Sequence, residues 1–277
     1  MINERFQLPN GQEVFTGNSK PEKVSTSFAV YPDADLLSLE QIRQVLDDPN
    51  RVPSRELFDR SWILNQGQRS SCNAYAVAGA LARIRYRMGM DRVEFGPEFL
   101  YALVNNNQDR GSLLDDGMVA VTEHGICPRN MIPYESYQMR DVSIEARRVA
   151  KNYRAFECYQ FPTDSVSKFW HAMVSAVCRN EIVVLALHVG QRFLSSRSLA
   201  GTDRGPGNHA VAADDARLAG RNLEDIQLDM FNSWGTDFGE FGRSWISVNH
   251  VAEPMRFHAM YAIRSATVDK SASNPVI

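Results

Sequence analysis

Hydrophobic positions recur with a helical period in the first half of the chain. Residues 72–88 are small or apolar on almost every face, which is typical of a buried helix. Helical spacing also predicts shorter helices over residues 97–104 and 116–124, and a longer one capped by Thr163 that ends near Asn180. These segments predict a helical half with one buried helix at its centre.

The second half of the chain has strand-like patterns instead. Alternating or continuous apolar runs lie between loops rich in glycine and aspartate. They predict strands over 182–189, 210–213, 226–232, 244–248 and 259–265. Helices first and strands later predict an α+β fold of two subdomains, a helical half and an antiparallel β half, with a cleft between them.

The first 50 residues are more polar and are punctuated by glycine and proline. Ser38 followed by Gln41 matches a capping box, and the apolar positions after it predict one short helix. We therefore predict an N-terminal arm over residues 1–50 and a main domain over 51–277. Its apolar face indicates that the arm packs on the main domain; the alternative is an inhibitory pro-segment near the cleft.

Composition excludes several classes of protein. The 277 residues are 44% hydrophobic and 23% charged, which is ordinary for a globular protein. The formal charge of −3 gives no basic footprint for nucleic acid, and no apolar run is long enough to cross a membrane. The four cysteines lack Cys-x-x-Cys spacing and no secretory signal is visible, so we predict a cytoplasmic protein, or one exported without a signal peptide visible in this chain.

Three residues in a suggestive order could carry nucleophilic chemistry. Cys72 begins the buried helix, where the positive end of the helix dipole favours a thiolate. His209 follows at the start of a predicted strand and Asn232 at the end of another. Their order and spacing match the Cys, His and Asn arrangement of papain-like enzymes.

Three blocks of sequence carry a resemblance to the papain-like cysteine peptidases. They are residues 65–72 (NQGQRSSC), 208–211 (NHAV) and 232–242 (NSWGTDFGEFG), of which the third is the most specific. Pro133 and Tyr134 are also placed as in that family. The resemblance covers about residues 52–266 and implies a papain-like fold, a catalytic domain over 51–277 and hydrolysis of polypeptides.

The resemblance implies a role for each matching residue. Cys72 would be the nucleophile with a lowered pKa, His209 the general base and acid, and Asn232 the amide that orients the imidazole. Gln66 would donate to the oxyanion beside the backbone N–H of Cys72. Trp234 would cover the bond between His209 and Asn232. The positions predicted to contact substrate are Asp116, Gly117, Asn208 and Trp234.

The sequence departs from the family pattern at several positions. Arg69 stands where a disulfide cysteine is usual, and the expected partner region near Asp115 and Asp116 has no cysteine either. Asn73 replaces an aromatic residue, and Phe238 replaces a second tryptophan. The histidines lack metal-ligand spacing, so neither a metal nor another cofactor is predicted.

Two alternatives use the same residues. A pocket too tight for a polypeptide would favour deamidation or acyl transfer through the same cysteine. A protein that kept the scaffold without the chemistry would be an inactive binding protein, although the intact set of Cys72, His209, Asn232 and Gln66 argues against this.

Overall fold

A computed structural model describes residues 4–17, 28–195 and 197–267. Parts of the predicted N-terminal arm (1–3 and 18–27) and of the predicted main domain (196 and 268–277) therefore lie outside the described residues. Within the described part, helices from the first half of the chain pack against an antiparallel sheet from the second half. The predicted α+β fold is confirmed.

The helices lie close to the predicted positions. The α-helices are α1 (Leu39–Leu46), α2 (Ser54–Leu57), α3 (Cys72–Arg87), α4 (Pro97–Val104), α5 (Leu114–Glu123), α6 (Ile144–Ala150), α7 (Val166–Cys178), α8 (Gln191–Leu194) and α9 (Val248–Val251). Short 3-10 helices lie at Asp33–Asp35, Arg60–Trp62, Arg129–Met131, Met139–Asp141, Leu223–Asp225 and Pro254–Arg256.

The strands form two antiparallel sheets in the described residues. They are β1 (Arg5–Gln7), β2 (Glu13–Phe15), β3 (Cys158–Gln160), β4 (Ile182–Leu187), β5 (His209–Leu218), β6 (Ile226–Phe231), β7 (Arg243–Ile246) and β8 (Tyr261–Ile263). Strands β1 and β2 make a separate hairpin, and the other strands form an open sheet in the order β3-β8-β4-β5-β6-β7.

Strand β4 explains how one sheet supports two cores. Its residues are all buried, as expected for a continuous apolar run covered on both faces. Val183 and Leu185 belong to the hydrophobic cluster that contains α7, whereas Ile182 and Val184 belong to the cluster that contains α3. Because successive side chains point to opposite faces, the sheet forms the wall between the two cores.

Two helix starts test the capping predictions. Ser38 caps α1 as predicted: its hydroxyl accepts the N–H of Gln41, whose side chain accepts the N–H of Ser38. The prediction of a Thr163 cap is wrong, because α7 starts later and Ser165 caps it by accepting the N–H of Lys168. Both residues can cap a helix, and the sequence pattern did not separate them.

The sequence pattern missed a buried ionic cluster. Strand β5 was predicted to end before Asp214, yet the strand continues, and Asp214 is 1% exposed. Its carboxylate lies 3.0 Å from Nε of Arg83 and also contacts the guanidinium of Arg243. Nε of Arg243 in turn lies 3.1 Å from Asp229. Arginines from α3 and β7 thus make it possible to bury acidic residues in the central strands.

We expect Asp214→Ala to lower the free energy of unfolding by about 3–5 kcal/mol, because two buried guanidinium groups would lose their shared counterion. Chemical denaturation measures this. Glu145→Ala is the control, since that carboxylate makes an exposed ion pair with Arg148 within one helix and its loss should not be measurable. Equal midpoints for the two variants would contradict the structural importance of the cluster.

No helix in the described ranges has the length and apolar character that crossing a membrane requires.

Candidate active site

Cys72 lies at the first position of α3 and is completely buried. The helix packs on β5, and the backbone N–H of Ala210 in that strand is hydrogen-bonded to the thiol. The residue before Ala210 is His209, so the sheet brings the candidate base to the N-terminal end of α3. Cys72 and His209 are both 0% exposed at this junction of the helical half with the sheet.

His209 and Asn232 meet because β5 and β6 are neighbouring antiparallel strands. His209 begins β5, Asn232 directly follows β6, and the register pairs Ala212 with Phe231. Nε2 of His209 lies 2.8 Å from Oδ1 of Asn232. The same oxygen accepts the N–H of Ser233 at 2.7 Å, which identifies it as the amide oxygen.

This bond determines which imidazole nitrogen can act as a base. Since Oδ1 of Asn232 accepts, Nε2 of His209 carries the proton and Nδ1 has the free lone pair. The indole of Trp234 stacks on the imidazole, with ring centroids 4.3 Å apart and an angle of 23° between the planes. His209 and Trp234 are 0% and 1% exposed, so water has no access to the hydrogen bond between His209 and Asn232.

Gln66 is held by both halves of the molecule. Its backbone N–H donates to the carbonyl of Ser233, and its side-chain Oε1 accepts the hydroxyl of Ser233 at 2.6 Å. With Oε1 occupied in this way, Nε2 donates to the carbonyl of Arg69 at 2.7 Å and to that of Phe15 at 3.1 Å. The amide thus already donates to a carbonyl oxygen, as an oxyanion donor would.

The N-terminal hairpin supplies one of the two carbonyls that accept from Gln66, that of Phe15. Phe15, at the end of β2, also accepts the indole N–H of Trp234 at 3.3 Å. Gly17 lies against Ser70, in the loop between Gln66 and Cys72, and its backbone is hydrogen-bonded to the thiol of Cys72. A Cβ at Gly17 would lie 1.9 Å from the carbonyl oxygen of Ser70, so only glycine fits there. Residues 15–17 therefore contact Cys72 and also Trp234, whose indole stacks on His209.

Burial changes the ionisation of Cys72 and His209. Desolvation raises the pKa of Cys72 to about 11 and lowers that of His209 to about 4. The resemblance implied a lowered thiol pKa; with the hairpin in place the shift is in the opposite direction. Burial outweighs the backbone donors around the sulfur, so the thiol and the imidazole are both neutral near pH 7.

The predicted substrate-contacting residues do not all lie together. Trp234 and Asn208 lie beside the hairpin: the indole donates to Phe15, and the amide of Asn208 contacts the carboxylate of Glu4. Asp116 and Gly117 lie in α5, where Asp116 lines a groove with α4 and α6, and Gly117 packs against Asn73. A Cβ on Gly117 would lie 2.3 Å from the Asn73 amide oxygen.

Gly111 and Ser112, which the sequence analysis did not select, meet the hairpin instead. The N–H of Ser112 donates to the carbonyl of Gly17 at 2.8 Å. Gly111 has φ +83°, and a Cβ there would lie 1.9 Å from the same carbonyl oxygen. The signal available in the sequence was a glycine just before α5, a few residues earlier than the position chosen.

The described residues contain no group of three or more histidine, cysteine, aspartate or glutamate side chains that could hold a metal ion. All four cysteines are free thiols.

Several solved structures similar to this chain are described as cysteine proteases. Xylellain from Xylella fastidiosa matches with a TM-score of 0.70 and 17% identity, over 96% of this chain and 99% of that one. A procathepsin B from Trypanosoma congolense matches with a TM-score of 0.66 and 16% identity, over 91% and 87%. The Carica candamarcensis cysteine protease CMS1MS2, solved in complex with E-64, matches with a TM-score of 0.57 and 19% identity, over 73% and 92%.

No protein-family model and no curated protein sequence matches this chain. The similarity to solved structures nevertheless shows that the chain has the papain-like fold. The fold class predicted from the sequence is thereby confirmed, including a helical half with a buried central helix and an antiparallel β half.

Proposed function

We propose that this chain is a cysteine endopeptidase whose nucleophile is Cys72. The observation that carries the proposal is the shielded bond between His209 and Asn232, at the end of the sheet that adjoins the start of α3. Such a bond leaves Nδ1 of the imidazole, a buried atom with no hydrogen-bond partner among the described residues, to act as the base. The papain-like fold and the cysteine proteases among its structural neighbours support the same chemistry.

The proposed mechanism assigns one step to each of these residues. Nδ1 of His209 takes the thiol proton, and the thiolate of Cys72 attacks the substrate carbonyl carbon. Nε2 of Gln66 and the backbone N–H of Cys72 donate to the resulting oxyanion. The imidazolium then protonates the departing amine, leaving a thioester. Water, deprotonated by His209, hydrolyses the thioester and restores the thiol.

We further propose that the N-terminal hairpin holds the enzyme latent. Phe15 occupies the donor of Gln66 with its own carbonyl, and Gly17 occupies the backbone donor of Ser112. A polypeptide substrate would need both donors, so the hairpin and the substrate compete. This supports the inhibitory alternative for the arm, with residues 4–17 as the inhibitory part.

The test uses three full-length proteins and a denatured, sequence-diverse protein mixture. They are the natural chain, Cys72→Ala, and Val14→Asp, which places a carboxylate at a hairpin position that is 1% exposed and so loosens the hairpin. Mass spectrometry identifies new peptide termini. We expect Cys72-dependent termini, more abundant with Val14→Asp. Deamidated or acyl-transferred products without new termini would favour a deamidase or acyl transferase that uses the same cysteine. If neither the natural chain nor Val14→Asp modifies the mixture, a binding protein would be favoured.

Acid should favour release of the hairpin. With the hairpin closed, the pKa of His209 is about 4, whereas a solvated imidazole titrates near about 6.5. The open state therefore binds more protons between these values, and lowering the pH from about 6.5 to about 4 shifts the equilibrium toward it.

The measurement is the rate of Cys72 alkylation in the natural chain divided by that in Val14→Lys, whose introduced charge is kept as the pH falls. We expect this ratio to rise as the pH falls from about 7 to about 4.5. Circular dichroism at each pH checks that the chain stays folded. A ratio that does not change with pH would contradict the coupling between His209 and the hairpin.

A further inference from the structure

The carboxylate of Asp109 joins two segments that contact residues 15–17 of the N-terminal hairpin. Its Oδ1 accepts the backbone N–H of Ser70 at 3.0 Å and the hydroxyl of Tyr101 at 2.8 Å. Its Oδ2 lies 3.3 Å from a guanidinium nitrogen of Arg69. Ser70 and Arg69 belong to the loop between Gln66 and Cys72, which we call the cysteine loop.

The same network continues to the segment that binds the hairpin backbone. The hydroxyl of Tyr101, a residue that is 0% exposed, accepts the N–H of Gly111 at 3.1 Å. The next N–H, that of Ser112, donates to the carbonyl of Gly17. Asp109 and Tyr101 thus connect the cysteine loop with the donor that a substrate backbone would use.

We propose that Asp109 is a positioning residue that sets the separation between the cysteine loop and the Gly111–Ser112 backbone. The proposal rests on the proposed peptidase function. The sequence analysis noted that Arg69 replaces a cysteine that usually forms a disulfide in the family. The region near Asp115 and Asp116, where the partner cysteine is expected, has no cysteine either. Asp109 is instead the residue facing Arg69, so an ion pair and two hydrogen bonds hold the segments in a chain whose cysteines are all free.

The geometry explains why a carboxylate suits this position. Oδ1 of Asp109 accepts two hydrogen bonds, and Oδ2 faces the guanidinium of Arg69. A single carboxylate can therefore contact both the cysteine loop and Tyr101. Asparagine would keep one acceptor oxygen and lose the charge. Alanine would lose every contact, and the two segments could then shift relative to each other. A shift of about 1 Å at a reacting centre can cost about a hundredfold in rate.

The experiment compares Asp109→Ala, Asp109→Asn and Tyr101→Phe in full-length Val14→Asp. The control is Asp141→Ala, which removes another partly exposed carboxylate of the helical half that accepts the hydroxyl of Ser136 at 2.5 Å. We measure kcat, KM and the thermal midpoint on a peptide found among the cleavage products.

We expect Asp109→Ala to lower kcat/KM by about tenfold or more, with Asp109→Asn restoring it to within about threefold and Tyr101→Phe lying between them. Asp141→Ala should keep kcat/KM within about twofold of the parent, even if its thermal midpoint falls as much as that of Asp109→Ala. The proposal is overturned if Asp109→Ala keeps full kcat/KM, if asparagine rescues nothing, or if the control loses as much activity.

Failure of the peptidase proposal would be recognised separately. If no full-length protein shows Cys72-dependent cleavage, that function is wrong, and the positioning role is judged from the alkylation rate of Cys72 in the same variants. A change of about fivefold or more in Asp109→Ala, but not in Asp141→Ala, would support the connection between the segments. Equal alkylation rates would overturn it.

Discussion

Val14→Asp should increase the alkylation rate of Cys72 at pH 7 by at least about tenfold, and should increase peptidase activity by a similar factor. Val14 is 1% exposed and belongs to the same hydrophobic cluster as Trp234. Burying a carboxylate there costs far more than burying the valine gains. A hairpin with strands of three residues is not stable by itself, so weakening this contact should release it.

Release changes both access and ionisation. The thiol pKa of about 11 results from burial, and solvation removes that cause. The positive end of the α3 dipole and the imidazole of His209 can then favour the thiolate. Val52→Asp is the matched control, because Val52 is 61% exposed and the same substitution there should change neither rate. Equal alkylation rates for Val14→Asp and the natural chain would contradict the inhibitory role of the hairpin.

Gln66→Ala, in full-length Val14→Asp, should lower kcat by about 100- to 1000-fold while KM changes little. The reason is that the amide would donate to the oxyanion, which carries its charge only in the transition state and the intermediate. Gln66→Glu should lose as much, since a carboxylate offers no N–H and would repel the oxyanion. Kinetics on a cleaved peptide at saturating concentration measure the effect.

Gln12→Ala provides the comparison for Gln66. The amide of Gln12 also contacts the site, because it donates to the backbone carbonyl of Trp234 at 3.2 Å, but it does so from the hairpin. Its loss should leave kcat unchanged in the released enzyme. If Gln66→Ala retained kcat, the oxyanion would have to be stabilised by other donors, and the role proposed for the amide would be wrong.

The segments with regular patterns could be predicted from the sequence because the local signal and the tertiary environment agree. The buried helix α3 has small residues on every face, and β4 has a continuous apolar run covered on both sides. The end of β5 could not be predicted in this way, because an aspartate such as Asp214 is typical of a loop when only the local sequence is considered. It lies in a strand because Arg83 and Arg243, distant in sequence, neutralise it there.

Some residues of the candidate site could likewise be predicted from the sequence, and others could not. The order and type of its residues selected Cys72, His209, Asn232 and Gln66, and the structure places the last three in direct or shared contact through Ser233. Cys72 begins α3, His209 begins β5 and Asn232 directly follows β6, so three of these residues lie at ends of elements that the sequence pattern predicted. Asp116 and Gly117, chosen by resemblance, lie in α5, whereas the hairpin contacts Gly111 and Ser112 just before that helix.

The sequence by itself determined the α+β class, the central helix, the strand half and the candidate Cys, His and Asn set, because each depends on local periodicity or on residue order. Only the tertiary structure decided that residues 4–17 form a hairpin over Cys72, that burial reverses the expected shift of the thiol pKa, and that Asp109 faces Arg69. These features depend on desolvation and on contacts between segments far apart in the chain, which no local pattern records.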